Sequence, residues 1–173
     1  MLPGLTLVLG GAASGKSAFA EELVASTGRN LIYLATAQAF DAEMKEKLRQ
    51  HRERRDSRWR TIEEPLDVGH KLAALSGDTA ILLDCATMWL SNHLLAENDP
   101  SEAEAALMAG LALCPAPVVI VSNEVGMSVV PENALARHFR EAQGKLNQKL
   151  ATQAGLVVNV VAGLPSVLKG ELS

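Results

Sequence analysis

The stretch that decides the fold is "GGAASGKS", residues 10–17. It matches the pattern G-x-x-x-x-G-K-[ST], and it stands between an apolar run typical of a buried strand, "LTLVLG" (5–10), and a helix-like segment, "SAFAEELVAS" (17–26). Glycines in such a loop allow backbone N–H groups and the helix N-terminus to point at phosphate oxygens. The pattern therefore predicts a phosphate loop that contacts a nucleotide through Gly10, Gly11, Ala12, Ala13, Ser14, Gly15, Lys16 and Ser17.

Two side chains of this loop have defined roles in the pattern. Lys16 is expected to reach the β- and γ-phosphates and to assist catalysis there, and the Ser17 hydroxyl is expected to bind Mg²⁺. The alternative is a glycine-rich turn with an exposed lysine. The strand before the loop and the helix after it favour the phosphate loop.

Apolar runs alternate with longer amphipathic segments along the rest of the chain. The runs are nearly continuous in hydrophobicity, as in parallel strands buried on both faces, and lie at 5–10, 30–36, 79–85, 117–123 and 156–163. Helical patterns lie near 15–26, 41–54, 66–75, 86–96, 101–113 and 132–153. This alternation predicts an α/β fold of the P-loop NTPase type, with a mostly parallel sheet and helices on both faces. Because no repeat or linker interrupts it, we expect a single domain over residues 1–173.

Two helices carry additional signals. Ser101 and Glu104 have the spacing of a capping box at the start of the helix near 101–113. In the last helix, apolar residues recur at three- and four-residue steps and predict a buried stripe of Leu135, Phe139, Ala142, Leu146 and Leu150.

The composition excludes several classes of protein. With a net charge of −4 and only 3% aromatic residues among 173, a basic groove with stacking aromatics is not expected, so general nucleic-acid binding is excluded. No apolar run approaches the ~20 residues of a membrane-spanning helix, and the N-terminus lacks the basic region of a signal peptide. Cys85 and Cys114 form no C-x-x-C pair, which argues against a zinc site or a disulfide and for a cytoplasmic setting.

Polar residues follow two of the predicted strands at the edge where open α/β sheets bind ligands. Asp84, in "ILLDC", has the position of a Walker B acid that binds Mg²⁺, although it could instead cap the next helix. Asn123 and Glu124, in "SNEVG", would position a substrate or a water on Mg²⁺, or else belong to a plain strand-to-helix loop. This second stretch is not the N-K-x-D motif that reads guanine, so it does not identify the base.

Residues 45–60 are strongly basic within an otherwise acidic chain. They contain eight of its sixteen basic residues, namely Lys45, Lys47, Arg49, Arg52, Arg54, Arg55, Arg58 and Arg60. A solvated helix with pairs such as Glu43–Lys47 accounts for the first of them. The arginines beyond the expected helix end indicate an anion, and phosphate matches the guanidinium fork.

A histidine, His51, lies among these arginines. Neighbouring positive charge disfavours the imidazolium form and keeps the ring neutral. A neutral imidazole is a nucleophile that can attack a phosphorus atom. The residue types alone leave open whether His51 has this role or is an ordinary surface histidine.

Five stretches of the sequence carry a family resemblance: "LVLGGAASGKS", "YLATAQAFDAEMKEKLRQHRERR", "WRTIEEP", "ILLDCATMWLSN" and "SNEVGMSVVPENALARHFREAQGKLNQKLA". They resemble the bifunctional adenosylcobinamide kinase/adenosylcobinamide-phosphate guanylyltransferases of cobalamin biosynthesis. The resemblance covers nearly the whole chain, and the last stretch (122–151) is the most specific because generic nucleotide kinases do not share it.

The resemblance implies an enzyme with two activities. A nucleoside triphosphate, ATP or GTP, phosphorylates the aminopropanol hydroxyl of adenosylcobinamide. GTP then transfers GMP to a histidine with loss of pyrophosphate, and adenosylcobinamide phosphate displaces that histidine to give adenosylcobinamide-GDP. Family members form a homotrimer, which the resemblance extends to this chain.

The resemblance also assigns residues. It implies that His51, followed by Arg54 and Arg55 in an H-x-x-R-R context, is the guanylylated residue. It implies nucleotide contacts from Thr36, Ala37, Arg52, Glu53, Arg54, Arg55, Glu63 and Asp84. Glu63 or Glu64 would read the guanine edge or accept a proton from His51 or from the hydroxyl. The alternative is that one of these two glutamates caps the helix after Pro65.

The sequence departs from the family pattern at a few positions. Ala13 stands where the phosphate loop more often has arginine, Ser128 stands where glycine is usual, and Glu141 and Ala142 alter an F-R-D-x-x-G pattern. Two other functions stay open beside the bifunctional enzyme. One is a plain P-loop small-molecule kinase in which His51 is inert, and the other is a GTP-binding regulatory protein without transfer chemistry.

Overall fold

The structure is a computed structural model, and it describes residues 1–38, 46, 49 and 55–172. The strands in this part of the chain are β1 (Leu5–Gly10), β2 (Asn30–Ala35), β3 (Trp59–Glu63), β4 (Thr79–Asp84), β5 (Val118–Asn123), β6 (Leu156–Val161) and β7 (Leu164–Lys169). The helices are α1 (Lys16–Ala25), α2 (Val68–Ala73), α3 (Ala86–Leu95), α4 (Pro100–Leu113) and α5 (Ala134–Gln153). Most of the predicted helix near 41–54 lies outside the described residues.

The strands form one sheet in the order β3-β2-β4-β5-β1-β6-β7. All neighbouring pairs are parallel except β6 and β7, which form an antiparallel hairpin at the edge. Because β1 lies between β5 and β6, the phosphate loop opens near the middle of the carboxyl edge. The predicted mostly parallel α/β fold of the P-loop NTPase type is confirmed.

Apolar side chains cover both faces of the sheet. On one face, residues of α2, α3, α4 and α5 pack against strand residues such as Leu7, Leu83 and Ile120. On the other face, Ala20 and Val24 of α1 pack against a second cluster of strand residues. Helices therefore lie on both faces, as the alternation of segments predicted.

The two edge strands are absent from the sequence prediction. Residues of β3 are exposed or half-buried and include Arg60 and Glu63, while every residue of β7 is exposed. Strands at a sheet edge need not be buried on both faces. They therefore lack the continuous apolar run by which the central strands were recognised.

Two local predictions about helices need correction. The N-cap of α4 is Asp99, which accepts a hydrogen bond from the Ser101 N–H (2.8 Å), so Ser101 and Glu104 form no capping box. Glu104 is buried instead and pairs with Lys149 of α5. The predicted stripe of α5 is buried at Leu146 and Leu150, but Leu135 is 61% exposed. No helix among the described residues is long and apolar enough to span a membrane.

Candidate active site

The phosphate loop joins the carboxyl end of β1 to the first turn of α1. Gly15 lies at the N-cap with φ 91°, and Ala13 also has a positive φ, 54°. The Ser14 N–H donates to the Gly11 carbonyl (3.3 Å), which closes the loop on itself. The first N–H groups of α1 have no partner within the helix and are free to bind an anion. The loop therefore has the backbone form that the pattern predicted.

The hairpin of β6 and β7 supports this loop from the side. The Gly163 N–H in the hairpin turn donates to the Ser14 carbonyl (2.8 Å). A Cβ on Gly10 would lie 2.7 Å from the Val160 carbonyl oxygen, and a Cβ on Gly15 would lie 3.0 Å from the Gly163 Cα. Glycine is thus required at both positions because of close backbone contacts, and at Gly15 also because of its φ.

Lys16 is folded back onto the loop. Its Nζ donates to the Gly11 carbonyl (2.9 Å), and the residue is 9% exposed. Burial lowers the pKa of the amine, and the nearby Cys85 and Asp84 act in the opposite direction. A partly desolvated ammonium interacts more strongly with an anion than a hydrated one does. Lys16 is therefore placed to exchange a carbonyl partner for phosphate oxygens.

Asp84 ends β4 at the same sheet edge, and β5 lies between β4 and β1. Its Oδ2 accepts a hydrogen bond from the Tyr33 hydroxyl (2.8 Å). The alternative role as a helix cap is wrong, because the N-cap of α3 is Cys85, whose Sγ accepts a hydrogen bond from the Met88 N–H (3.4 Å). Asp84 is thus available as the acidic group near the phosphate loop.

The oxygen donors at this edge fit magnesium. The hydroxyl of Ser17 in the first turn of α1 and the carboxylate of Asp84 are hard ligands of the kind that Mg²⁺ takes. Among the residues that the structure describes, no three His, Cys, Asp or Glu side chains are grouped to hold a metal. Mg²⁺ is usually bound by one or two carboxylates together with substrate phosphates, rather than by a protein cage.

A cation–π stack lies beside Asp84. The guanidinium of Arg55 lies 3.4 Å from the centroid of the Tyr33 ring, and its Nη1 is 3.9 Å from Glu21 Oε1. The Arg55 side chain is only 5% exposed. The sequence did not indicate Tyr33 as a site residue, because the residues that it contacts are distant along the chain.

Other residues of the basic stretch have carboxylate partners. The guanidinium of Arg58 binds Asp56 (Nη2 to Oδ2, 2.7 Å), and Arg49 binds Glu46 (Nη2 to Oε1, 2.6 Å). The expectation that the arginines form one uncompensated anion site is therefore wrong for Arg58. The predicted site residues His51, Arg52, Glu53 and Arg54 lie outside the described residues.

Thr36 braces the ends of two strands. Its buried hydroxyl donates to the Cys85 carbonyl (2.7 Å) and accepts from the Cys85 N–H (2.9 Å). Its own carbonyl accepts from the Asn92 amide (2.7 Å). The hydroxyl proton is thus used within the protein and the residue is buried, so a nucleotide contact is more readily made by the neighbouring half-buried Ala37.

The two adjacent glutamates after β3 have different surroundings. Glu64 Oε1 accepts hydrogen bonds from the N–H groups of Leu66 (3.1 Å) and Asp67 (2.8 Å), in the turn before α2. The N-cap of α2 is Asp67, with no side-chain cap, so the capping alternative is wrong for Glu64. Glu63 is the last residue of β3 and is exposed at the carboxyl edge. Glu63 is therefore the more exposed of the pair at this edge.

Asn123 and Glu124 also separate. The Glu124 carboxylate accepts from the N–H groups of Gly126 (2.7 Å) and Met127 (3.1 Å), so it shapes its own loop. The backbone of Asn123 is held by Thr87 and Asn147 (2.8 and 3.1 Å), which leaves its side-chain amide at the sheet edge between β1 and β4. Asn123 is the better placed of the two for a substrate.

Comparison with known proteins identifies the family of the chain. The family described as "Cobinamide kinase / cobinamide phosphate guanyltransferase" matches residues 6–168. The chain belongs to this family. It is 44% identical over 169 residues to the "Bifunctional adenosylcobalamin biosynthesis protein CobP" of Pseudomonas aeruginosa, with 95% of this chain and 97% of the relative covered.

Two further relatives have the same full-length match. The "Bifunctional adenosylcobalamin biosynthesis protein CobU" of Salmonella typhimurium is 42% identical, and the protein of the same name from Escherichia coli is 38% identical. Each alignment covers 95% of this chain and 99% of the relative. Membership of the cobinamide kinase/guanyltransferase family thus rests on the whole chain, not on the phosphate loop alone.

Proposed function

We propose that this protein, acting as one domain, is the bifunctional enzyme of its family. It phosphorylates the aminopropanol hydroxyl of adenosylcobinamide with ATP or GTP and then transfers GMP from GTP to form adenosylcobinamide-GDP. The observation that carries the proposal is the grouping of Lys16, Asp84 and Arg55 around one sheet edge. Arg55 follows the expected nucleophile, His51, by four residues in the sequence.

In the kinase step, the loop holds the triphosphate through its backbone N–H groups. Lys16 leaves the Gly11 carbonyl and binds the β- and γ-phosphates, where it stabilises charge on the transferring group. Mg²⁺, held by Ser17 and Asp84, would neutralise further phosphate charge. The cobinamide hydroxyl oxygen forms a bond to the γ-phosphorus as the bond to the nucleoside diphosphate breaks, and the Asn123 amide orients that hydroxyl.

In the guanylyl transfer, His51 is the nucleophile. Its neutral ring nitrogen forms a P–N bond with the α-phosphorus of GTP, and the bond to pyrophosphate breaks. A phosphate oxygen of adenosylcobinamide phosphate then attacks the same phosphorus, which returns the electron pair to the histidine and releases adenosylcobinamide-GDP. Arg52, Arg54 and Arg55 stabilise the phosphate charge during both steps, with Glu63 and the backbone near Ala37 on the guanosine side.

The test is covalent labelling with GTP that carries its label on the α-phosphate, without an acceptor. The wild-type protein is expected to retain label that is acid-labile and alkali-stable, and His51→Ala is expected to retain none. His70→Ala is the matched control, since His70 is an exposed histidine on α2, on the sheet face opposite α1. Label on His51→Ala, or no label on a wild-type protein that binds GTP, would contradict the proposal.

The same experiment separates the two alternative functions. A plain P-loop kinase would transfer the γ-phosphate to adenosylcobinamide and retain no GMP. A GTP-binding regulatory protein would bind GTP tightly, turn it over very slowly and modify no acceptor. Full-length similarity to proteins named as bifunctional supports the enzyme over both alternatives.

We further propose a homotrimer in the cytoplasm, by analogy with the family. Exposed apolar side chains on α3, α5 and the loop before α5, including Leu95, Leu135 and Val129, are the surface that such an assembly would cover. Cys85 and Cys114 are both free thiols, as in a reducing compartment. Analytical ultracentrifugation tests the assembly: one species of three times the chain mass is expected, and a monomer would contradict it.

A further inference from the structure

The single tyrosine of the chain, Tyr33, contacts two groups that the proposed reactions need. Its hydroxyl, on β2, donates to Asp84 Oδ2 (2.8 Å) on the neighbouring strand β4. Its ring stacks under the Arg55 guanidinium (3.4 Å to the centroid) and meets the edge of Trp59 (6.3 Å between centroids). The side chain itself is buried at 6% exposure. Tyr33 therefore connects the acid of one strand with the residue that follows the His51 segment.

Arg55 depends on this ring more than on hydrogen bonds. Its Nε and Nη1 are buried and, among the described residues, make no hydrogen bond. The Glu21 Oε1 oxygen is 3.9 Å from Nη1, which is too long for a hydrogen bond. A buried guanidinium over an aromatic face is held by its attraction to the ring electrons. The stack on Tyr33 is thus a contact that holds this buried guanidinium beside β2.

We propose that Tyr33 is a positioning residue that serves both reactions through two separate parts of its side chain. The hydroxyl fixes the rotamer of Asp84 and thereby the affinity of the site for the metal–nucleotide complex. The ring seats Arg55, which is proposed to stabilise phosphate charge in the guanylyl transfer. The inference rests on the proposed function, and it adds a coupling between the metal side of the site and this arginine.

The two parts can be removed one at a time. Tyr33→Phe deletes the hydroxyl and keeps the ring, Tyr33→Leu deletes both, and Arg55→Met deletes the stacked charge. Thr6→Val is the matched control, because the Thr6 hydroxyl is buried on β1 and makes no hydrogen bond to the described residues. Thermal unfolding of each variant shows whether it is folded before any other measurement is made.

The first measurement is metal affinity without turnover. Mn²⁺ is titrated into protein saturated with an α,β-methylene analogue of GTP, and free Mn²⁺ is followed by electron paramagnetic resonance. Tyr33→Phe and Tyr33→Leu are expected to bind Mn²⁺ about 10-fold more weakly, the effect typical of losing a partner of a metal-binding side chain. Thr6→Val is expected to bind it like the wild type. Unchanged affinity in folded Tyr33→Phe would overturn the role of the hydroxyl.

The second measurement is the rate of covalent labelling by GTP at saturating Mg²⁺. Tyr33→Phe is expected to regain the wild-type rate, whereas Tyr33→Leu and Arg55→Met are expected to stay about 10²-fold slower, the size expected when a reacting group is misplaced by about 1 Å. Equal rates in Tyr33→Phe and Tyr33→Leu would overturn the role of the ring. If the wild type acquires no label at all, the proposed function fails, while the Mn²⁺ titration still decides the role of the hydroxyl.

Discussion

The phosphate loop and the Tyr33 cluster lie at the same sheet edge but are built in different ways. The loop consists of consecutive residues whose backbone conformation forms the site, with Gly15 at φ 91° and Ser14 bonded to Gly11. The Tyr33 cluster joins Tyr33 of β2, Asp84 of β4 and Arg55, which precedes β3. Its central hydrogen bond, from Tyr33 to Asp84, links residues 51 positions apart. One region is therefore encoded locally and the other by the tertiary fold, and they should respond differently to substitution.

The largest effect is expected from Lys16, the side chain of the loop that is proposed to bind phosphate. Lys16→Met removes the buried ammonium while leaving the backbone of the loop unchanged. Both the kinase and the guanylyl-transfer rates are expected to fall on the order of 10²–10³-fold, as when a preorganised charge partner is lost from a transition state. Rapid-quench assays of each half-reaction measure this. A loss confined to one half-reaction would show that the two reactions do not share the loop.

A glycine exchange tests whether the loop acts through its backbone. Gly15→Ala places a Cβ at positive φ and 3.0 Å from the Gly163 Cα, whereas Gly28→Ala has the same kind of φ (66°) with nothing within 4 Å. Both are expected to lose about 1–2 kcal/mol of stability from the left-handed conformation. Only Gly15→Ala is expected to weaken nucleotide binding measured by calorimetry. Equal nucleotide affinity in the two variants would contradict the backbone account.

Cys85 joins the two regions, and its thiol gives a pH test. Burial raises its pKa to about 11, with Asp84 adding to the shift. A group with a raised pKa in the folded state stabilises the fold below its unfolded pKa, near 9, and loses that contribution as the pH rises through 11.

The free energy of unfolding supplied by Cys85 should therefore fall by at most about 2.7 kcal/mol between these limits, at 1.36 kcal/mol per pKa unit. Urea unfolding of the wild type and of Cys85→Ala gives the difference in free energy of unfolding between the two proteins at pH 8 and at pH 10.5. The change in that difference measures the contribution of Cys85. A difference that stays constant with pH would show that the thiol is not buried between the two regions.

The smallest effect on activity is expected at Glu64, which lies beside the site. Glu64→Ala removes the carboxylate that accepts from the N–H groups of Leu66 and Asp67, so it should cost about 1 kcal/mol of stability, the size typical of a lost hydrogen bond. Guanylyl transfer should stay at the wild-type rate, and thermal unfolding beside a labelling assay checks both. Glu63→Gln, one position earlier, should instead weaken GTP binding; a reversed pattern would assign the ligand role to Glu64.

Prediction from sequence succeeded where the signal was local. The loop, the central strands and the position of Asp84 follow from short runs of residues, because a buried parallel strand is apolar throughout and a phosphate loop needs fixed glycines. The edge strands β3 and β7 lack that apolar signal. Tyr33 could not be identified, since its role depends on Arg55 and Asp84 meeting it in space. The separate roles of Glu63 and Glu64 likewise required the hydrogen bonds of the folded chain.

The most direct test of the account is a chase of the isolated intermediate. Wild-type protein is labelled with α-labelled GTP and Mg²⁺, freed of nucleotide, and mixed with adenosylcobinamide phosphate in a single turnover. The account predicts that the label leaves His51 and appears in adenosylcobinamide-GDP in equal amount, without added GTP. Label that stays on the protein while product forms only when GTP is added would contradict a guanylyl-histidine intermediate and the shared site built around it.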